Sequence, residues 1–397
     1  MNLRDRVEAA LCAWDGYEAG KGAPRVIDYD CRPTRDEVKP ANNRLAVYRE
    51  LHALYHEANS AGETRIACRV AADLAYLGAL LGERPDIETF IRLTQGCAAR
   101  GWPPEYVTAR GKLARDTLKA LGVTWGPNTT VELDSSEGVA DAGEAPDAIR
   151  HAADELEPLV RQLTGADPHY DLTIATAHTD QYWSYWLDGA GQQSRLRLNL
   201  RRAKFTNVRI RQFALHEVLG HALQSASLAA LCARVDVPWV RLLSVHAPHQ
   251  VLMEGVAQAL PLFVTPHDSA LIARVRLDHY LQLVRSELHL FVNTGMTVSE
   301  CVRHARFRVP FWPDEEIADA LTDRSTNPQL RSYLWAYPAG LDWFVALADA
   351  NADAIPEVLH AAYRGPLTPD ELMALWPAGP PIGGPEGTVR LRKPSLS

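Results

Sequence analysis

The stretch Phe213-Ala-Leu-His216-Glu217-Val-Leu-Gly220-His221-Ala-Leu-Gln224 puts two imidazoles and a carboxylate into an otherwise apolar run. Imidazole is a borderline-soft nitrogen donor suited to Zn²⁺, and a catalytic zinc keeps three protein ligands with a fourth position open. A carboxylate next to the first histidine is placed to take a proton from a water attacking a carbonyl. The chemistry this predicts is metal-assisted hydrolysis, with His216 and His221 as ligands and Glu217 as general base.

The spacing sets a condition. Histidines four residues apart lie about 40° apart around a helix of 3.6 residues per turn, whereas five residues separate them by about 140°. A π-type turn, bonded i→i+5, would return His216 and His221 to one face, and such turns concentrate at functional sites. Gly220 has no side chain to obstruct the widening. Without it, the pair would be two unrelated histidines on one helix.

A third ligand has to come from elsewhere. In His249-Gln-Val-Leu-Met-Glu254-Gly-Val-Ala-Gln-Ala-Leu-Pro261, Glu254 is an acid in an otherwise apolar segment. A buried carboxylate is costly unless it is paired or holds a metal. His246 and His249, at the turn before this segment, compete for the same place; the burial argument favours Glu254. Tyr337, before Pro338, is a neutral donor able to stabilise an oxyanion, although a tyrosine there more often packs. His52 and His56 sit four apart on one face with no carboxylate that completes a metal site, and read as surface or packing histidines.

The elements that must position these groups are mostly helical. The chain has 397 residues, 47% hydrophobic and 23% charged, with a formal net charge of -8. Those are globular values, and the charge argues against a general nucleic-acid binder. No apolar run reaches the ~18 residues of a membrane span, and the first residues lack a signal-peptide core, so a cytoplasmic protein is expected. The six scattered cysteines fit reduced, mostly buried thiols.

The expected organisation is a helical N-terminal region over 1–124, an acidic linker or loop over 125–147, a zinc-binding catalytic region over 148–377 and a Pro/Gly-rich tail over 378–397. Arg44–His56, Arg69–Leu81, Pro85–Ala99 and Pro104–Leu121 read as helices. Residues 125–147 carry acids and turn formers without a basic residue. Asp171–Leu200 reads as β, with Tyr182-Trp-Ser-Tyr-Trp186 aromatic and Arg195–Leu200 alternating strictly. It would form a small antiparallel sheet whose edge could bind an extended peptide; His178 and Asp180 are candidates to face that cleft. Thr206 or Asn207 can cap the metal-bearing helix. Arg331–Trp343 reads as an aromatic-rich break.

Taken together these motifs resemble zinc metallopeptidases of the gluzincin kind. His216-Glu217-Val-Leu-Gly220-His221 is similar to the H-E-L-L-G-H motif of the dipeptidyl peptidase III family. Gly220-His221-Ala-Leu-Gln224, Glu254-Gly-Val-Ala257, Gly295-Met-Thr297 and Tyr337-Pro-Ala-Gly340 resemble, in order, the later motifs of a bacterial family of helical zinc-peptidase-like proteins catalogued as a domain of unknown function. The resemblance spans roughly residues 195 to 350. It implies zinc on His216, His221 and Glu254, Glu217 as base, Tyr337 at the oxyanion, and substrate contacts from Arg285 or His289. Val256 departs from the family's tryptophan, and Leu219 stands where proline is common.

The expectation is therefore a mainly α, zincin-like helical metallopeptidase with a small antiparallel sheet beside its cleft. It would use Zn²⁺ to hydrolyse a small peptide or small-molecule amide, with no nucleic-acid or membrane partner. A zinc-dependent biosynthetic enzyme with one dedicated small substrate is the alternative, and a non-catalytic helical scaffold is the third reading.

Overall fold

A computed structural model describes residues 1–33, 38–179, 185–201 and 203–385. The protein is mainly helical, with one small mixed sheet. The helices Arg44–Ala61, Thr64–Leu80, Ile87–Gln95 and Pro104–Ala120 lie where apolar periodicity places them. Asn43, Asp86 and Thr206 cap helices by accepting from backbone amides, each satisfying a donor the helix leaves open.

Two cores organise the chain. Val7, Leu11, Trp14, Leu51, Leu54 and Leu77 form one cluster, which Val240 and Leu242 join. The helices Ile87–Gln95 and Pro104–Ala120 belong instead to the main core, with Leu215, Val218 and Leu219 of the histidine helix. The expected boundary near residue 124 therefore does not separate two cores. Burial decides this: Ile91, Val107 and Leu118 are fully buried against elements from much later in the chain.

The acidic segment 125–147 is not a free linker. It contains the helix Thr129–Glu137, with Leu133 buried. The Glu137 carboxylate accepts from Arg274 Nε at 2.8 Å and from Thr206 Oγ1 at 2.6 Å. Arg274 is itself buried, and a buried acid is tolerable when it is paired and hydrogen-bonded. That partner lies far away in sequence, so a local reading sees uncompensated charge.

The sheet is mixed rather than antiparallel. Its strands are β1 (Tyr29–Asp30), β2 (Asp171–Ala177), β3 (Tyr185–Ala190), β4 (Gln193–Asn199) and β5 (Leu242–Leu243), in the order β2-β4-β3-β1-β5. The β3–β4 hairpin is antiparallel, as alternation predicts, but β2 runs parallel to β4 and β1 parallel to β3. The parallel pairs arise because β2 passes over its sequence neighbour β3 to pair with β4, and because β1 joins the other side of the hairpin from the N-terminal region. β1 pairs with β3 at Gly189 and Ala190, so that one backbone edge of Tyr185–Asp188 has no strand partner among the described residues. Of the aromatic run, residues 182–184 lie outside the described residues, as does Asp180.

Arg331–Trp343 is no break: it lies within the continuous helix Pro328–Asp349, with Pro338 inside. Proline lacks an N–H and so removes one helix hydrogen bond, but deep packing holds the turn, Trp335, Ala339 and Phe344 being buried. The start of the expected tail is anchored, Arg100 and Gly101 amides donating to Gly383 at 3.3 and 3.2 Å; residues 386–397 lie outside the described residues. All six cysteines are free. Among the described residues no helix is long and apolar enough to cross a membrane.

Candidate metal centre

The helix that carries the histidines begins as Asn207–Phe213, widens to a π-helix over Ala214–Ala222, and continues as Leu223–Arg234. The wide turn brings His216 and His221 together despite their five-residue spacing. Their Nε2 atoms are 3.1 Å apart, with rings nearly perpendicular. Gly220 allows more than the local widening. A Cβ there would lie 2.6 Å from Ala257 Cβ, so its absence lets the helix Gln250–Val264 come close.

That neighbouring helix supplies Glu254. Its carboxylate oxygens lie 3.6 Å from His216 Nε2 and 3.8 Å from His221 Nε2. One ligand atom from each of the three residues falls within 4.8 Å of the others. The helix Pro328–Asp349 crosses it at a glycine pair. A Cβ on Gly255 would meet Gly340 backbone carbon at 2.6 Å, and one on Gly340 would overlap the Val251 carbonyl. This close crossing sets Tyr333 and Tyr337 over Glu254.

The residues fit a zinc ion. Tetrahedral ligands at about 2.0–2.1 Å from a metal stand about 3.3 Å apart, near the 3.1 Å between the two Nε2 atoms and the 3.6 Å from His216 Nε2 to Glu254 Oε2. Glu254 Oε2 is buried without a hydrogen-bond partner. Its other oxygen accepts from Tyr333 Oη at 2.8 Å and Gln250 Nε2 at 3.1 Å, the outer-shell support that ligating carboxylates use. Burial holds the His216 imidazole well below its usual pKa, helped by His221, and lowers that of His221 to about 4. Both rings are therefore neutral, as ligands must be. Burial, opposed by the bonds from Tyr333 and Gln250, raises Glu254 to about 7.

Glu217 is buried beside this triad, one carboxylate oxygen 3.5 Å from His216 Nε2. Burial, then the charge of Glu254, raises its carboxyl well above the ordinary range. Tyr337 Oη lies 2.5 Å from Tyr333 Oη. Glu217, Tyr337 and the three candidate ligands line one cavity of about 290 Å³.

The other expected residues lie elsewhere. Arg285 stacks its guanidinium 5.2 Å over the Trp312 ring and lies 3.8 Å from Glu316. His289 is fully buried beside Trp335. Neither is among the residues that line the cavity. His246 bonds Asp73 at 2.9 Å and stacks on Tyr76. His249 accepts from the Ser244 amide at 3.4 Å. His52 and His56 are exposed, their rings 4.6 Å apart, and His178 is exposed and outside the cavity.

Sequence reasoning missed Tyr333, Gln250 and Asp28. The first two stand four residues before Tyr337 and Glu254, on the same helical faces, and that spacing could have found them. Asp28, on the cavity wall from the N-terminal region, carries no local signal.

No family model and no curated protein matches the chain. Its fold is similar to a solved structure of a putative lipoprotein from Colwellia psychrerythraea, with 13% identity and a TM-score of 0.53. The match covers 83% of this chain and 60% of that one. At this identity the likeness concerns the fold alone.

Proposed function

We propose that the protein is a zinc-dependent hydrolase of the gluzincin kind, cleaving a peptide or related amide. The observation that carries this reading is the convergence of two neutral imidazoles and a buried, half-satisfied carboxylate on a widened helical turn, with a second carboxylate beside them.

His216, His221 and Glu254 would hold the ion, which when bound supplies Lewis-acid polarisation and lowers the pKa of a bound water toward neutrality. Tyr333 and Gln250 orient Glu254 and satisfy one of its oxygens. Glu217 takes the proton of the attacking water on a carboxylate oxygen and passes it to the leaving nitrogen. With Tyr333 donating to Glu254, the Tyr337 phenol hydrogen rests on Tyr333 Oη; it would turn from there to the carbonyl oxygen as negative charge develops. The edge of β3 at Tyr185–Asp188 offers backbone donors and acceptors to an extended substrate.

The cavity volume supports a short substrate. At about 290 Å³ it sits at the lower end of small-molecule sites, roughly 300–1,000 Å³. This favours, as a second reading, a dedicated enzyme for one small non-peptide amide; turnover of small amides but not peptides would select it.

Elemental analysis of wild type, Glu254→Ala and Glu217→Gln tests the proposal together with an amide-cleavage assay. The expected result is about one zinc per chain in wild type and Glu217→Gln, and much less in Glu254→Ala. Turnover by Glu217→Gln should fall about 10²–10⁴-fold. Wild type that takes up no zinc on reconstitution rejects the metal, and full activity in Glu217→Gln rejects the base.

A further inference from the structure

The cavity wall opposite in sequence to the metal helix contains a carboxylate that the proposed chemistry does not use. Asp28 immediately precedes β1, and its backbone is held by the sheet. Its amide donates to the Leu243 carbonyl at 2.9 Å, and its carbonyl accepts from Gly189 at 3.3 Å. The side chain is thus mounted on a rigid support. Its carboxylate accepts one hydrogen bond, from the Val245 amide at 2.9 Å, and has no ion pair among the described residues.

Among the described residues no cation pairs with this charge; Arg25 acts on it from a distance but is bonded to Asp15. Arg69 acts on Asp28 electrostatically, but its guanidinium is engaged by Asp73, the Leu242 carbonyl and Ser244 Oγ. Among the described residues lining the cavity, three are carboxylates (Asp28, Glu217 and Glu254) and none is lysine or arginine. An ion held by His216, His221 and Glu254 would still leave Asp28 without a cationic partner among the described residues of the wall. Burial pushes the Asp28 carboxyl up to about 7, against the pull of the Val245 amide, the behaviour of an acid without a counter-charge. The adjoining wall includes Tyr29 and Tyr185, whose ring faces attract cations.

We propose that Asp28 is a specificity-determining residue that binds a cationic amino group of the substrate, so that the site takes short peptides or amides bearing a free amine. This rests on the hydrolase reading for the scissile bond, but the recognition itself does not require turnover. A substrate with an ammonium group would complete the charge balance. One presenting a carboxylate to that wall would meet repulsion and no compensating cation.

The test is calorimetric titration of L-phenylalaninamide and N-acetyl-L-phenylalaninamide into the zinc-reconstituted full-length protein. Wild type, Asp28→Asn and Asp28→Glu are compared, with circular dichroism as the folding control. A charge-assisted hydrogen bond of this kind corresponds to roughly a ten- to hundredfold change in affinity. Wild type should bind the free amine at least tenfold more tightly than the acetylated probe. Asp28→Asn should lose that preference, and Asp28→Glu should retain most of it. Equal binding of the two probes by wild type, undiminished amine binding by a folded Asp28→Asn, or no binding of the amine overturns the proposal. Should Asp28→Asn fail to fold, the wild-type preference and its retention in Asp28→Glu decide. Asp28-dependent amine binding without cleavage of any amide would defeat the hydrolase reading and leave this inference standing. Cleavage that ignores acetylation would do the reverse.

Discussion

Replacing Gly340 with alanine sets two opposed effects against each other at the helix crossing that mounts the site. In a helix interior alanine is better than glycine by about 1 kcal/mol, so propensity alone predicts a more stable protein. Packing predicts the opposite. The new methyl would overlap the Val251 carbonyl and lie 2.8 Å from Gly255 Cα, both backbone atoms that no side-chain rotation can move. The helices Gln250–Val264 and Pro328–Asp349 would have to part to relieve this overlap, and overpacking of this kind costs up to about 3 kcal/mol. The net expectation is a loss of about 2 kcal/mol, seen as a lower urea midpoint. The same displacement pulls Tyr333 away from Glu254, which it now bonds at 2.8 Å, so zinc loading should fall with stability. Gly20→Ala is the control, since a Cβ there meets nothing within 4 Å; it should leave the midpoint unchanged or raise it. A Gly340→Ala protein as stable as wild type would refute the close crossing as the device that positions the carboxylate.

Two further outcomes follow from buried polar groups. Tyr333→Phe removes the donor to Glu254 and the partner of Tyr337; zinc affinity, measured by chelator competition, should weaken about 10–100-fold, and unchanged affinity would remove Tyr333 from the site. Burial pushes the Asp73 carboxyl up, but the Arg69 charge and the His246 hydrogen bond overcome this and hold it below its ordinary 3.8. The folded state therefore favours the carboxylate, and its contribution is complete above pH 3.8 and lost as pH falls through the lower folded value. Asp73→Asn should cost about 3–5 kcal/mol at neutral pH by leaving Arg69 buried and unpaired, and should flatten the acid limb of the stability profile; an unaltered limb would rule out this network as its source.

How far the sequence could be read depended on the range of the interactions involved. His216, Glu217, His221 and Glu254 were legible because their chemistry conflicts with their apolar surroundings, and burial of such groups demands a partner. The π turn was one of two readings of the five-residue spacing, the one a shared ligand requires, since no regular helix brings the two rings together. Helix positions and the β3–β4 hairpin followed from local periodicity. Arg285 and His289, in contrast, were assigned by resemblance, and their helix presents them to packed surroundings away from the cavity.

Pairings between segments that are not neighbours along the chain came from the packing. The parallel partners β1 and β2 join the hairpin through pairings that leave no trace in the periodicity of either strand. Glu137 looked solvated until Arg274 met it, and Asp28 looked unremarkable in sequence until β1 carried it to the cavity wall. Gly255 and Gly340 show nothing unusual in their own segments; their meaning lies in the contact between two helices whose backbones meet there. Side-chain type and local spacing are properties of the chain, and so the groups able to do chemistry could be read along it. The fold decided which of them share one cavity, because burial and charge compensation belong to the packed molecule.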